Sequence, residues 1–183
     1  MKESILISGF GGQGMMLLGK LLAKAALYEG KHVTFIPSYG AEMRGGTAHC
    51  LVKISDLPIA SPFIDCPGVA IILNQPSLDK FKDKLEKGSV LICNSDLVED
   101  EPDCPGVKKV ILPLNQIALD CGDIRVANMV ILGLIINLRP QILKKNTIIK
   151  VLNETFPQKN ILEQNLKAFY KGKELACQPK RKS

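Results

Sequence analysis

The hydrophobic pattern of the first forty residues predicts a strand, a turn, a helix and a second strand. Residues 5–7 form a short apolar run, and four glycines follow within the six positions from 9 to 14. Met15 to Tyr28 is then apolar on most sides, with Lys20 and Lys24 forming a narrow polar stripe. A helix of this kind is expected to lie against a sheet along most of its circumference. The second predicted strand is at 32–36.

The rest of the chain continues to alternate strands with helices. We predict strands where apolar residues alternate or run together, and helices where they recur every three or four positions. The predicted strands are 48–54, 69–73, 90–93 and 109–112, and the predicted helices are 76–87, 124–138, 147–156 and 161–170. Because such alternation is typical of α/β proteins, we predict a single-domain, mostly parallel, Rossmann-like sheet with helices on both faces.

Residues near the predicted helix ends support these boundaries. Gly30 and Gly88 follow two of the helices, where glycine commonly ends a helix. Asn146 precedes the helix at 147–156 and is a candidate N-cap. We assign residues 1–172 to the α/β domain and expect residues 173–183 to form a basic, flexible C-terminal tail.

Composition places the chain among ordinary globular proteins. It has 183 residues, of which 46% are hydrophobic and 23% are charged, enough for one domain with a core of its own. Its longest apolar stretch, 129–136, is far too short to span a bilayer, and we expect no signal peptide before the first strand. The six cysteines show no C-x-x-C spacing, so we expect reduced thiols in a cytoplasmic protein.

The net charge of +6 does not predict a nucleic-acid partner. Six basic residues and one acid follow position 166, so the folded part of the chain is nearly neutral. Aromatic residues are few and no basic stripe is present, which argues against nucleic-acid binding. His32 and His49 are isolated in the sequence, and we expect no metal site.

The glycines of the first turn suggest an anion-binding loop. Gly9, Gly11 and Gly14 match G-x-G-x-x-G between a strand and a helix. The first N–H groups of a helix have no partner inside the helix and can bind an anion. Met15 and Met16 occupy positions where an acid would compete for the positive helix end. Glycine at these positions also suits close packing of the strand on the helix, and both interpretations stay open.

The second predicted strand argues against a nicotinamide cofactor. Dinucleotide-binding folds usually carry an acid at the end of this strand, about 20 residues after the glycines, where it binds the ribose hydroxyls. The strand at 32–36 is followed by Pro37, Ser38 and Tyr39, with neither an acid nor an arginine among them. A free-standing NAD(P) enzyme is therefore disfavoured.

The loop after the second strand has an unusual composition. Residues 38–46 contain a hydroxyl, a phenol, a carboxylate and a guanidinium together with three glycines. One interpretation is a solvated turn in which Glu42 and Arg44 form a weak ion pair. The other places the loop at the carboxyl end of its strand, where open α/β sheets bind ligands. We favour a site or an interface.

Four segments of the chain form a recognisable set. The first consists of Gly9, Phe10, Gly11, Gly12, Gln13 and Gly14. The second consists of Ser38, Tyr39, Gly40, Ala41, Glu42, Met43, Arg44, Gly45 and Gly46. The other two are 128–133, beginning at Asn128, and 165–172. Together they resemble the gamma subunit of the 2-oxoacid:ferredoxin (acceptor) oxidoreductases, most like the 2-oxoglutarate branch, although pyruvate, branched-chain and indolepyruvate members share the same motifs.

The resemblance implies a role inside a larger enzyme. This family decarboxylates a 2-oxoacid oxidatively and releases acyl-CoA, which for 2-oxoglutarate is succinyl-CoA. Alpha, beta and delta-type subunits would carry thiamine diphosphate, magnesium and the iron–sulfur clusters, and ferredoxin or a similar acceptor would receive the electrons. The gamma subunit would bind coenzyme A and pack on the thiamine-bearing subunits, without catalytic residues of its own.

The resemblance also suggests roles for residues of the two loops. Backbone N–H groups at 11–14 would bind the phosphates of coenzyme A, and Gln13 would donate a side-chain hydrogen bond. The substrate or subunit interface would be formed by Ser38, Tyr39, Gly40, Glu42, Arg44, Gly45, Gly46 and Asn128. A different hypothesis makes the subunit a purely structural scaffold that never contacts coenzyme A.

Overall fold

The computed structural model of the protein describes residues 1–39, 47–100 and 102–177. Within these ranges lie one six-stranded sheet and six α-helices. The strands are β1 (Lys2–Phe10), β2 (His32–Ser38), β3 (Thr47–Ser55), β4 (Val69–Ile72), β5 (Val90–Asn94) and β6 (Lys108–Leu112). The helices are α1 (Met15–Tyr28), α2 (Gln75–Phe81), α3 (Leu114–Asp120), α4 (Ala127–Leu138), α5 (Lys145–Thr155) and α6 (Lys159–Ala176). None of these helices is both long and apolar enough to cross a membrane.

The sheet has the order β2-β3-β1-β4-β5-β6, and only β3 runs against its neighbours. Eight residues join β2 to β3, which is too short for the crossover that parallel neighbours need, so these two strands form an antiparallel pair. The strands from β1 through β4 and β5 to β6 pair in parallel. The prediction of a mostly parallel α/β sheet is confirmed.

The direction of the connections changes between β1 and β4. After β1 the chain passes through α1 to β2, on one side of the sheet, whereas after β4 it passes through α2 to β5, on the other side. The buried side chains of α1 pack with Ile5 and Ile7, and those of α2 pack with Leu6, so the two helices cover opposite faces. Such a switch point is the usual place for a ligand in an open α/β sheet.

The larger core lies on the α1 face and contains α4. Every residue of α4 from Asn128 to Ile136 is buried, because the helix is covered by other elements on all sides. Its principal neighbour is α6, and glycine lets the two backbones come together. A methyl group on Gly133 would collide with the carbonyl oxygen of Phe169, and one on Gly172 with that of Val130. The last two segments that carry the family resemblance therefore form a tight helix crossing.

Several predicted boundaries differ from the structure. The helix predicted at 76–87 is shorter, because α2 ends at Phe81 and a 3₁₀ turn at Lys82–Lys84 follows. Asn146 is not the N-cap predicted for the next-to-last helix: α5 begins at Lys145, so Asn146 lies inside its first turn. The N-cap residue Lys144 instead donates its N–H to the Glu29 carboxylate over 2.7 Å.

The last helix is longer than predicted. α6 reaches Ala176, because Phe169 and Gly172 continue its buried face against α4. The boundary placed at 172 therefore falls inside a helix, and residues 178–183 lie outside the described part of the chain. The division into a domain and a flexible tail stays a prediction.

Candidate functional site

The glycine loop joins β1 to α1 at the carboxyl edge of the sheet. Gly12 and Gly14 have φ angles of 95° and 74°, values that L side chains rarely adopt. Gly14 is the N-cap of α1 and provides no side-chain hydrogen bond, and the first turn contains no acidic residue. The first N–H groups of α1 are consequently left for another partner.

The glycines of the loop are required for different reasons. A side chain at Gly9 would collide with Gln13, and one at Gly14 would collide with Asn128. Gly12 is required by its backbone angle. Gly11 has no such requirement within the described part of the chain, since a methyl group there would meet nothing within 4 Å. No described residue therefore occupies the space over Gly11.

Two amide side chains, those of Gln13 and Asn128, stabilise the loop by hydrogen bonds. Gln13 Oε1 accepts a hydrogen bond from the Phe10 N–H at 2.6 Å, and Gln13 Nε2 donates to the Leu73 carbonyl over 3.5 Å. Asn128, which is only 3% exposed, donates from Nδ2 to the Gly14 carbonyl at 3.3 Å. Its Oδ1 is buried and makes no hydrogen bond to any described residue. These contacts hold the loop between β1, β4 and α4.

A cavity of about 160 Å³ opens beside the loop at the switch point of the sheet. It lies at the carboxyl ends of β1, β4 and β5, as the ligand sites of such folds do. Both polar amide groups and aliphatic side chains contribute to its walls. The lining residues are Gly12, Gln13, Leu73, Asn94, Leu114, Asn115, Ile124, Arg125 and Ala127.

The wall from β5 and α3 is fixed by a network of side-chain hydrogen bonds. Asn94, at the end of β5, donates to the side chain of Asn115 over 3.2 Å and accepts from the Leu114 N–H at 3.0 Å. Asp96 accepts from the N–H groups of Asn115 and Gln116 at 2.7 and 3.2 Å. The start of α3 is therefore capped by residues about 20 positions earlier in the chain.

The remaining wall carries one cation. Arg125 follows Asp123, whose carboxylate accepts from the Arg125 backbone N–H at 2.8 Å and from Nε and Nη2 at 2.9 and 2.6 Å. These hydrogen bonds hold the pKa of Asp123 below its ordinary value, so the carboxylate is charged at neutral pH. The arginine side chain is 85% exposed, which leaves its outer edge accessible.

The second predicted loop leaves the sheet at the same edge. β2 runs parallel to β1 although β3 lies between them, so Ser38 ends its strand on the side of the glycine loop. Ser38 is half-buried, whereas Tyr39 is 71% exposed. Neither lines the cavity. The other residues predicted for this loop, Gly40, Glu42, Arg44, Gly45 and Gly46, lie outside the described residues.

The structure also brings together residues that sequence reasoning missed. Gly12 and Gln13 were predicted and line the cavity, but Asn94, Asn115 and Arg125 were not. Asn94 could have been predicted from the sequence, because an asparagine at the end of a buried strand falls at the carboxyl edge of the sheet. Asn115 and Arg125 could not have been, since their position depends on how α3 and α4 pack.

No cysteine, histidine or carboxylate is among the described residues that line the cavity. All six cysteines are free, and four of them are buried. Burial raises the pKa of Cys50 to about 12 and that of Cys93 to about 11, so both are protonated, unreactive thiols at neutral pH. Among residues 1–39, 47–100 and 102–177, no three His, Cys, Asp or Glu side chains form a group that could hold a metal ion.

Fold and cavity together define an open, doubly wound α/β domain with a cavity of aliphatic side chains and amide groups at its switch point. The family profile described as pyruvate ferredoxin/flavodoxin oxidoreductase matches residues 4–175, almost the whole chain. The chain belongs to this family.

Its relatives include subunits of two enzymes with different substrates. The 2-oxoglutarate synthase subunit KorC of Methanocaldococcus jannaschii is 39% identical over 96% of this chain and 95% of its own length. The ketoisovalerate oxidoreductase subunit VorA of Methanothermobacter thermautotrophicus is 38% identical over 94% of this chain. The alignment covers only 36% of that VorA sequence, so the chain spans about a third of its length.

Solved structures show the same fold. The keto/oxoacid ferredoxin oxidoreductase gamma subunit of Geobacter sulfurreducens superposes with a TM-score of 0.82 and 34% identity, over 95% of this chain and 98% of that one. The 2-oxoglutarate:ferredoxin oxidoreductase of Magnetococcus marinus, solved with 2-oxoglutarate, coenzyme A and succinyl-CoA bound, gives a TM-score of 0.87 and 30% identity. That match covers 96% of this chain and 31% of the other.

Proposed function

We propose that the protein is the gamma subunit of a cytoplasmic 2-oxoacid:ferredoxin (acceptor) oxidoreductase and that it binds the phosphates of coenzyme A at the glycine loop. Thiamine diphosphate, magnesium and iron–sulfur clusters would belong to alpha, beta and delta-type partners. The subunit would position coenzyme A and pack on the thiamine-bearing subunits, and it would form or break no bond itself.

The observation that carries the proposal is the open, uncapped start of α1 beside the cavity. A phosphate needs several convergent N–H donors and no competing carboxylate, which the first turn of α1 supplies. It also needs a backbone that it can approach, and no residue within 1–39, 47–100 or 102–177 obstructs the space over Gly11. The M. marinus enzyme, which contains this fold, was solved with coenzyme A bound.

The residues of this chain would fix the position of the cofactor. Gln13 and Asn128 hydrogen-bond to the backbone of the loop and would keep its shape for the bound phosphates. The aliphatic side chains Leu73, Leu114 and Ile124 would exclude water from one side of the bound group. Such positioning lowers the entropic cost of bringing the thiol to an acyl group on a partner subunit.

The proposed substrate is 2-oxoglutarate, with pyruvate or a branched-chain oxoacid as alternatives. The M. jannaschii KorC matches over 95% of its length, which supports 2-oxoglutarate. VorA relatives of nearly equal identity are named for ketoisovalerate, which supports the branched-chain alternative. Assays of the purified complex with each oxoacid and coenzyme A would decide among them.

A purely structural role is the competing candidate, because packing does explain Gly9 and Gly14. A substitution at Gly11 can distinguish coenzyme A binding from a purely structural role. Gly11→Asp would place a carboxylate where a phosphate is proposed, and its Cβ would meet no atom of the described residues within 4 Å. We expect the KM of the assembled complex for coenzyme A to rise by about tenfold or more, as for loss of hydrogen bonds to a charged group.

Gly11→Asn is the matched control, since it has the same size and no charge. It should raise the KM far less than Gly11→Asp. Size-exclusion chromatography should show the same assembly for both variants. Equal coenzyme A kinetics for wild type and Gly11→Asp in an intact complex would leave only the structural role.

A further inference from the structure

The cavity has an anion-binding loop on one wall and an arginine on another, which is more than a diphosphate alone requires. We infer that Arg125 binds the 3′-phosphate of coenzyme A and that the subunit thereby distinguishes the cofactor from its dephospho form. This inference rests on the proposed function, because it assumes that the diphosphate occupies the glycine loop.

The guanidinium of Arg125 is oriented by hydrogen bonds to Asp123 and still has N–H donors available. Asp123 Oδ2 accepts from Nε and Nη2, and Asp123 Oδ1 accepts from the backbone N–H of the arginine. Within the described part of the chain, Nη1 makes no hydrogen bond, and the side chain is 85% exposed. One edge of the fork is therefore oriented by the carboxylate, while the other can receive an anion in a bidentate manner.

The cavity is too small for the whole of coenzyme A. Its volume of about 160 Å³ is well below the roughly 300–1,000 Å³ of pockets that bury most of a drug-sized ligand. Coenzyme A would thus place only the phosphate-bearing end of its nucleotide here. Its pantetheine arm would leave the cavity along the protein surface toward the partner subunits.

The first turn of α1 and the wall with Arg125 suit different phosphates of coenzyme A because the charges of those phosphates differ. The N–H groups of α1 suit the diphosphate, whose oxygens are spread over two phosphorus atoms. The 3′-phosphate is a monoester and carries close to two negative charges at neutral pH. Arg125 is the one basic residue among the described residues that line the cavity. Without it, the monoester would face Leu114 and Ile124 with its charge unmatched.

The test compares coenzyme A with dephospho-coenzyme A as acyl acceptors of the assembled complex. The wild type should have a lower KM for coenzyme A. Arg125→Gln should raise the KM for coenzyme A about tenfold, as expected for losing a charge-assisted hydrogen bond, and leave that for dephospho-coenzyme A unchanged. Arg125→Lys, which keeps the charge but loses the planar fork, should give a smaller rise.

Lys159→Gln is the charge-matched control, because Lys159 is 89% exposed on α6 and lines no described cavity. It should change neither KM. Equal increases for both acceptors in Arg125→Gln would place the arginine on the diphosphate, and no change for either would remove it from the site. Both results overturn the inference. Unchanged kinetics in Gly11→Asp would instead overturn the proposed function, so the two failures can be told apart.

Discussion

At the scale of single residues, His49 shows how burial makes stability depend on pH. It lies on β3 with its ring 5.2 Å from that of Phe81, and its Nδ1 is buried without a hydrogen-bond partner in the described chain. Desolvation, together with the nearby charges of Lys80 and Lys84, lowers the pKa of His49. The unfolded chain therefore takes up this proton more readily than the folded one.

It follows that His49 destabilises the fold on acidification. Its full contribution is present above the ordinary histidine pKa and is lost as the pH falls below that value. We expect thermal melts between pH 7 and 5 to show a smaller acid-induced loss for His49→Gln than for the wild type. His32 is the other histidine of the chain and is exposed on β2, so His32→Gln is the control and should follow the wild type. Parallel curves for all three proteins would contradict this assignment.

At the scale of elements, the contact between α4 and α6 depends on two glycines. Because the obstacles to a methyl group at Gly133 or Gly172 are backbone carbonyls, the helices themselves would have to move apart. Overpacking costs about 1–3 kcal/mol, and we expect the upper end here. Alanine gains about 1 kcal/mol in helix propensity over glycine. The packing penalty should therefore exceed the gain in helix propensity, and both substitutions should destabilise the fold.

We predict that Gly133→Ala and Gly172→Ala each lower the free energy of unfolding by about 2 kcal/mol, the difference between these two effects. Chemical denaturation measured by circular dichroism would show it. Gly19→Ala in α1 is the comparison, since the atoms in its way belong to the side chains of Phe35 and Cys50, which can shift. Its effect should be close to zero. A stabilising effect at Gly133 would mean that the crossing is looser than described.

Elements specified by their own residues were predicted well from the sequence. Elements that depend on residues far away in the chain were not. α1 was predicted with its observed ends, because an apolar pattern, a glycine turn and Gly30 all lie within the segment itself. α3 was missed, because it has only seven residues and its cap comes from Asn94 and Asp96. The glycine-loop half of the cavity was predicted for the same local reason, whereas the Arg125 wall depends on tertiary packing.

At the scale of the whole molecule, the α/β fold of this chain also matches parts of longer relatives. It matches 36% of VorA and 31% of the M. marinus chain, yet 95% of KorC. One continuous core on the α1 face joins β1 to helices as distant as α6. The domain therefore has the burial that independent folding requires.

We predict that the chain expressed alone folds and unfolds in a single cooperative thermal transition, but does not reduce an electron acceptor until its partner subunits are added. Calorimetry would test the first part, by agreement of the calorimetric and van't Hoff enthalpies. Reconstitution with purified partners would test the second. An isolated chain without a cooperative transition would mean that the core is completed by another subunit.

The antiparallel strand β3 has a consequence for attempts to change the cofactor. Neighbouring strands lie ~4.8 Å apart, so inserting β3 moves the end of β2 about 10 Å from that of β1. A sugar held above the first turn is then out of reach of any side chain introduced at position 37. Conversion to a nicotinamide-binding protein would require rebuilding the topology, since one added acid could not span that separation.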